Sequence, residues 1–425
     1  MLRAALRSRP ADSPVFLHKG ETVRAGALTR TAAGGRVALR LDDPLALARA
    51  ILALDGVAER VLLLPSLPDD IIAALMAQAG IDRLIRSESE NIPGDGEVET
   101  DWILATSGTT GTPKLVRHSL ASLTRLTRLA GPDRGGGPRW GLLYDLTRFA
   151  GLQVFLQALL GGTPLILTDG RDPLPQRVAE LAAAGCTALS ATPTLWRKLL
   201  MTPGAETLPL RQVTLGGEIV DSAILAALRE RYPAARITHV YASTEAGAAF
   251  SVTDGAVGFP AFYLAEPPKG VALAIREGRL FVRNTLVDPA YLGGERRFAD
   301  AQGYVDTGDS VILSGDRVYF AGREDGCINV GGNKVHPEEV EAVLLSHPQV
   351  ALARVAARRN PITGQIVTAD IVPATPPADP AALRKSIEAH CAGRLEPFKR
   401  PALIRLVEDL NIGASGKLAR SGSGA

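Results

Sequence analysis

Between residues 36 and 231, short apolar runs alternate with stretches of helical spacing, and this alternation restricts the chain to an α/β architecture. Segments 36–41 (RVALRL) and 60–65 (RVLLLP) read as strands, whereas 44–54 and 69–79 read as helices. The pattern continues with strands at 163–167 and 212–215 and helices at 176–184 and 222–231. Apolar strands that recur between helices belong to parallel sheets covered by helices. From 271 to 320 the helical spacing disappears and short strands with glycine turns take over, which predicts a smaller β subdomain. Beyond Gly322 the order becomes turn, helix near 336–346, strands near 351–357 and 365–372, and helix from 380 to 394. A unit of this α+β kind, about 100 residues long, can fold separately and move against the rest. The expectation is a large domain over 1–322 and a small, mobile one over 323–425. The segment PATPPADP at 373–380 resembles a linker, but the strands before it need the following helix for cover, so it falls inside the small domain. RGGGPR at 134–139 reads as a flexible loop, and no internal repeat is present.

A chain of 425 residues is too long for one ordinary core, and 46% hydrophobic residues suffice to fill two or three. Its 47 basic and 45 acidic residues leave a net charge of +2, so no overall field draws it to nucleic acid or an anionic membrane. A small-molecule partner is expected instead. Cys186, Cys327 and Cys391 are widely spaced and contain no C-x-x-C pair, which argues against a zinc site and a disulfide framework alike. No apolar run reaches the roughly 18 residues of a membrane span. The N-terminus carries arginines without a sustained apolar core. A soluble, cytoplasmic protein is expected.

Chemistry enters at 106–114, TSGTTGTPK. Gly108 and Gly111 allow backbone N–H groups to turn inward, Thr106, Ser107, Thr109, Thr110 and Thr112 add hydroxyls, and Lys114 adds a mobile cation. Such a loop suits phosphates. It is not the G-x-x-x-x-G-K-[ST] loop of nucleoside triphosphatases, because Pro113 occupies the second glycine position and Leu115 the hydroxyl position. The loop around Lys417 fails the same test at Asn411.

Read in order with GGE (Gly216, Gly217, Glu218), YASTEAG from Tyr241, YVDTGD ending at Asp309, GREDGCINVGGNKVHPEEVE from Gly322 and SGKLAR from Ser415, the phosphate loop resembles that of the adenylate-forming superfamily. That superfamily contains acyl- and aryl-CoA synthetases, luciferases and the adenylation domains of nonribosomal peptide synthetases. The resemblance spans about three quarters of the chain. It implies that Thr106, Ser107, Gly108, Thr109, Thr110, Gly111 and Lys114 hold the β- and γ-phosphates of ATP. Tyr241 would stack on adenine, with Gly216, Gly217 and Glu218 on its other face and Ala242 and Ser243 alongside. Thr244 would meet the α-phosphate, Glu245 would take magnesium, and Asp309 would accept both ribose hydroxyls with Arg323 nearby. Lys417 would be the catalytic lysine, which enters the site in only one orientation of the small domain. Asp325 falls at the family's hinge, and Gly331 and Gly332 at the loop lining its thiol channel.

Some features depart from the family pattern. Ala242 replaces the usual glycine after the tyrosine, the approach to Lys417 lacks the usual proline and arginine, and about 105 residues precede the phosphate loop where the family usually carries more. Tyr144 and Asp145 resemble the Phe-Asp pair of amino-acid adenylating domains, but their spacing to the end of the following helix is too long, which disfavours an amino-acid substrate. Arg148 stands where many acyl-CoA synthetases have His and could meet a second anionic group or lie at the surface. The resemblance implies an ATP- and Mg²⁺-dependent ligase that activates a carboxylic acid as its acyl adenylate and then forms an acyl- or aryl-CoA thioester. Two alternatives remain open: transfer to an acyl carrier protein's phosphopantetheine or to an amine, and an inactive nucleotide-binding module.

Overall fold

The computed structural model describes residues 2–28, 35–87, 98–106, 113–129, 137–268, 270–293, 297–361, 363–413 and 416–417. The large N-terminal part contains two sheets with parallel centres. In the eight-stranded sheet, strands Arg236–Ser243, Gln212–Gly216, Ala188–Ala191, Trp140–Leu142, Leu165–Leu167 and Pro14–His18 run parallel in that order. Gly247–Val252 and Glu21–Arg24 close its edges antiparallel. In the six-stranded sheet, Arg83–Ile85, Arg36–Leu39, Arg60–Leu63 and Asp101–Thr106 are parallel, followed by antiparallel Lys114–His118 and Val287–Tyr291.

Helix Phe149–Leu160 shows why these sheets face each other. It is apolar nearly all round, burying Phe149, Leu152, Val154, Phe155, Leu156, Leu159 and Leu160, and such a helix must be covered on every side. One continuous core joins it to helix Pro44–Leu54 and to side chains of both sheets, among them Phe16, Leu142 and Leu165 from one and Val61, Trp102 and Leu104 from the other. A second core forms where helices Pro193–Met201 and Ser222–Arg231 cover the eight-stranded sheet, with Trp196 fully buried and its indole N–H on Thr214 O at 2.9 Å.

The expected β subdomain is a five-stranded antiparallel sheet of Phe259–Pro260, Arg317–Arg323, Val305–Ser314, Arg279–Asn284 and Val271–Arg276. Strand Val287–Tyr291 departs from that expectation: it leaves the subdomain and pairs Val287 with His118 on the six-stranded sheet. The small C-terminal part has its own core beneath a sheet built on the long hairpin Val350–Asn360 and Gly364–Pro373. Both hairpin strands run further than the sequence pattern indicates, because polar residues such as Arg358 and Arg359 extend the ladder beyond the apolar stretch. Helix Pro380–Ala392 stops at Gly393, two residues short of its expected end. Helix Pro337–Leu345 and helix Pro380–Ala392 cover this sheet.

Candidate active site

Strands Arg236–Ser243 and Gly247–Val252 are joined by a turn that carries Thr244 and Glu245. Three contacts fix it. Ser243 Oγ accepts the Ala246 N–H at 2.9 Å, Asn284 Nδ2 donates to Ala246 O at 3.0 Å, and His118 Nε2 lies 2.9 Å from Thr244 O. A carbonyl only accepts, so Nε2 carries the proton. Burial lowers the His118 pKa to about 4, partly offset by that bond, and the ring is therefore neutral. Glu245 lines a cavity of about 270 Å³ with Arg283, Asn284 and Val305. Its half-buried carboxylate receives no hydrogen bond from the described residues.

Asp309 and Arg323 lie directly opposite each other on neighbouring strands of the β subdomain. Arg323 Nη1 donates to Asp309 Oδ1 at 3.2 Å, and the Tyr241 hydroxyl donates to Oδ2. Burial raises the Asp309 pKa, against the pull of the Arg323 cation. Burial, followed by the charge of Asp309, pushes the Tyr241 phenol well above its ordinary value, so it stays a donor. The Tyr241 ring is stacked against Phe250 and Phe320, with centroids 5.1 and 5.2 Å away. These neighbours set the plane of the ring, and its hydroxyl makes the polar contact.

Gly216 ends its strand, and Gly217 follows with φ +81°, a left-handed conformation that favours glycine. A Cβ on Gly217 would lie 3.3 Å from Lys417 Cε, so the missing side chain leaves room for the lysine. Glu218 Oε2 accepts the Thr194 N–H at 3.0 Å at the start of helix Pro193–Met201. Lys417 keeps a solvent-accessible side, yet protein crowds its ammonium. The resulting desolvation lowers its pKa, while the charges of Glu218, Asp309 and Glu245 oppose the shift and Arg323 adds to it. The loop bearing the lysine is tight: Gly413 N–H donates to Lys417 O at 2.8 Å and Gly416 N–H to Gly413 O at 2.8 Å. Thr192 Oγ1 donates to Gly416 O and accepts the Leu195 N–H at 3.1 Å. One hydroxyl therefore caps a helix of the large part and holds the terminal loop.

The structure thus gathers Glu218, Glu245, Asp309, Arg323 and Lys417 from motifs up to about two hundred residues apart into one electrostatic neighbourhood. Lys114 pairs with Thr106 on neighbouring strands that flank residues 107–112, and its Nζ sits 5.0 Å from the Tyr291 ring centroid. Ser107, Gly108, Thr109, Thr110 and Gly111 lie outside the described residues, as does Ser415. Arg148 is half-buried, and its Nη1 donates to Ala105 O at 3.2 Å, just ahead of Thr106. Asp145 Oδ1 accepts from Thr147 N and Oγ1 at 2.8 and 2.7 Å, which makes it a turn residue. Asp325 is exposed on a short 3-10 turn, and Gly331 and Gly332, at φ +58° and +91°, form an exposed hairpin turn. His118 and Thr192 escape sequence reading, because a lone His in an apolar strand and a lone helix cap carry no spacing signal.

The donor set fits a nucleotide and a divalent cation. Glu245 offers an oxygen that the described residues leave unengaged beside a cavity, an arrangement Mg²⁺ accepts together with phosphates and water. The family model described as AMP-binding enzyme matches residues 92–268, and that for the AMP-binding enzyme C-terminal domain matches 339–417. The 2-succinylbenzoate–CoA ligase of Geobacillus kaustophilus is 31% identical over 347 residues, which cover 76% of this chain and 68% of that protein. A 4-coumarate–CoA ligase-like protein of Oryza sativa is 28% identical over 75% of this chain and 61% of its own. Among solved structures, the o-succinylbenzoate CoA synthetase of Bacillus subtilis in complex with its acyl-adenylate intermediate superposes with a TM-score of 0.74 at 21% identity, over 99% of this chain and 96% of that one. An anthranilate CoA ligase in complex with anthranoyl-AMP gives 0.77 at 17% identity, over 98% and 95%. At these identities the structures speak for the fold. With both family models matched and a 31% identical relative spanned over two thirds of its length, this chain belongs to the AMP-binding enzymes of the adenylate-forming superfamily.

Proposed function

We propose that the chain is an ATP-dependent carboxylic acid ligase that joins an acid to the α-phosphate of ATP, expels pyrophosphate and passes the acyl group to the thiol of CoA, releasing AMP. The observation that carries this reading is the seating of Lys417, on a loop of the small domain, against Gly217 of the large one, where a Cβ would lie 3.3 Å from Lys417 Cε; there its amine feels the charges of Glu218, Glu245 and Asp309, with Arg323 beside them. Adenylation brings two anions together, and a positioned cation stabilises the charge that develops between them. Lys417 bridges carboxylate and α-phosphate, Thr244 donates to that phosphate, and Lys114 with the 106–111 loop holds the leaving pyrophosphate. Glu245 holds Mg²⁺, which screens the phosphate charge when bound. Asp309 exchanges its Tyr241 and Arg323 contacts for the ribose hydroxyls, and Gly216 to Glu218 line the adenine. The large domain covers 1–322, and the small one turns about Asp325, bringing Gly331 and Gly332 to the thiol channel for the second step. Relatives named for 2-succinylbenzoate and 4-coumarate support an aryl acid as the substrate class and CoA as the acceptor.

A pyrophosphate-exchange screen over aryl, aliphatic and amino acids tests the first half-reaction, and each acid that exchanges is then offered CoA. Exchange with an aryl acid followed by a CoA thioester is the expected result. Nucleotide binding without exchange for any acid would leave an inactive binding module, and exchange without CoA transfer would move the acceptor to a carrier protein or an amine. Lys417→Ala should cut exchange by at least about 10²-fold while thioester formation from preformed adenylate survives. Equal loss of both steps would reject the assigned role of Lys417.

A further inference from the structure

The short turn that links the β subdomain to the small domain brings together three side chains that the ligase chemistry does not use. Glu324 and Cys327 belong to this turn, and His336 precedes helix Pro337–Leu345. Cys327 Sγ is 3.2 Å from His336 Nδ1, and one ligand atom from each of the three residues falls within 4.8 Å of the others. Gly322 makes this approach possible. At φ +143° it takes a conformation that side chains rarely adopt, and a Cβ there would lie 2.7 Å from His336 Cβ and 2.8 Å from Nδ1. The imidazole is therefore seated on the backbone of the last β-subdomain strand, facing the thiol.

We propose that Glu324, Cys327 and His336 bind a borderline-soft divalent cation of the zinc class, and that the bound cation holds the small domain in the orientation seen here. A thiolate, an imidazole and a carboxylate are the ligand types such a cation prefers, and tetrahedral coordination places sulfur and nitrogen ligands roughly 3.5 Å apart. The existing 3.2 Å separation needs only a small adjustment. Binding forms a sulfur–metal bond as the thiol proton leaves to solvent, and water completes the fourth position. Lys334 is the resident competitor, since its ammonium pairs with Glu324. That pair is exposed, so water replaces it at little cost. The sequence spacing argued against zinc because it offers no cysteine pair; the ligands here are of three kinds.

The position along the chain gives the site its consequence. Glu324 precedes Asp325 and the other two ligands follow it, so rotation about Asp325 would part the carboxylate from the thiol and imidazole. The complete site exists only while the small domain keeps this orientation. On the ligase reading above, the cation would favour adenylation and retard the thioester step.

Co²⁺ titrated into the EDTA-washed, untagged full chain tests the site without any substrate. One equivalent should produce a thiolate-to-cobalt absorption band that Cys327→Ser abolishes. Glu324→Gln should weaken binding by at least about tenfold, and Lys334→Ala should tighten it. Absence of the band, or its persistence in Cys327→Ser, overturns the site. Hydrogen exchange tests the orientation: Zn²⁺ should slow exchange across residues 407–417 in the wild type and leave it unchanged in Cys327→Ser. A formed band with unchanged exchange would overturn the hold on the domain. Neither readout depends on turnover, so failure of the ligase reading leaves both outcomes interpretable.

Discussion

His118 shows how much of this site depends on a group outside every motif. Its Nε2–H fixes the carbonyl of Thr244, its ring packs 5.4 Å from that of Phe149, and burial holds its pKa at about 4. The unfolded chain protonates an ordinary His near 6.5, so between roughly that pH and 4 the unfolded state binds a proton that the folded state refuses. Stability attributable to His118 is therefore complete above about pH 6.5 and declines as pH falls, by about 3 kcal/mol at the lower limit. Urea unfolding of wild type and His118→Gln between pH 4.5 and 7 should show a steeper loss for the wild type. Parallel curves would separate His118 from this acid sensitivity. Asp309 and Arg323 were legible as members of two motifs through the resemblance to the adenylate-forming superfamily, since TGD by itself reads as a turn. Their direct pairing was not, since register depends on how a whole hairpin closes. The Tyr241 hydroxyl was missed for a related reason: sequence suggests an aromatic face, whereas the ring's plane is set by Phe250 and Phe320 from two other strands.

At the scale of the element, helix Pro193–Met201 ties the large part to the loop that carries Lys417. Thr192 caps it through Leu195 N–H, Pro193 occupies its first turn, and Glu218 takes the next free amide at Thr194. A threonine followed by proline is ordinary chemistry for a helix start, although by itself it did not single out Thr192 in the sequence. The second bond of the same hydroxyl, to Gly416 O, has no such signature because its partner is more than two hundred residues away. Thr192→Val should lose both bonds, lowering stability by about 1 kcal/mol and pyrophosphate exchange by about tenfold through misplacement of Lys417. Thr192→Ser keeps the hydroxyl and should restore both. Exchange that falls in Val but not in Ser, with the thioester step unchanged, identifies a positioning residue; equal losses in both variants would reduce Thr192 to a packing role.

At the scale of the molecule, the ordered motifs predicted two domains, but not the orientation in which they meet. Two conformations of one chain commonly differ by only a few kcal/mol, so a few local contacts decide between orientations. The terminal segment makes the join here: Leu410 packs on Leu352 and Val372 of the small domain, whereas Ile412 packs against the core beneath helix Pro193–Met201. Lys198 from that helix pairs with Asp409 at 2.7 Å, the lysine mostly covered and the aspartate exposed. An ion pair of this kind contributes at most about 1 kcal/mol, which is about fivefold in a population. A contact that weak suits the proposed departure of the small domain after adenylation. Reversing one charge with Lys198→Glu should therefore lower pyrophosphate exchange several-fold while thioester formation from preformed adenylate holds or rises. The double reversal Lys198→Glu with Asp409→Lys should recover the wild-type ratio. If both half-reactions fall together and the second reversal recovers neither, the contact is a surface pair with no part in the choice of orientation, and the join rests on other contacts, those of Ile412 and Thr192 among them.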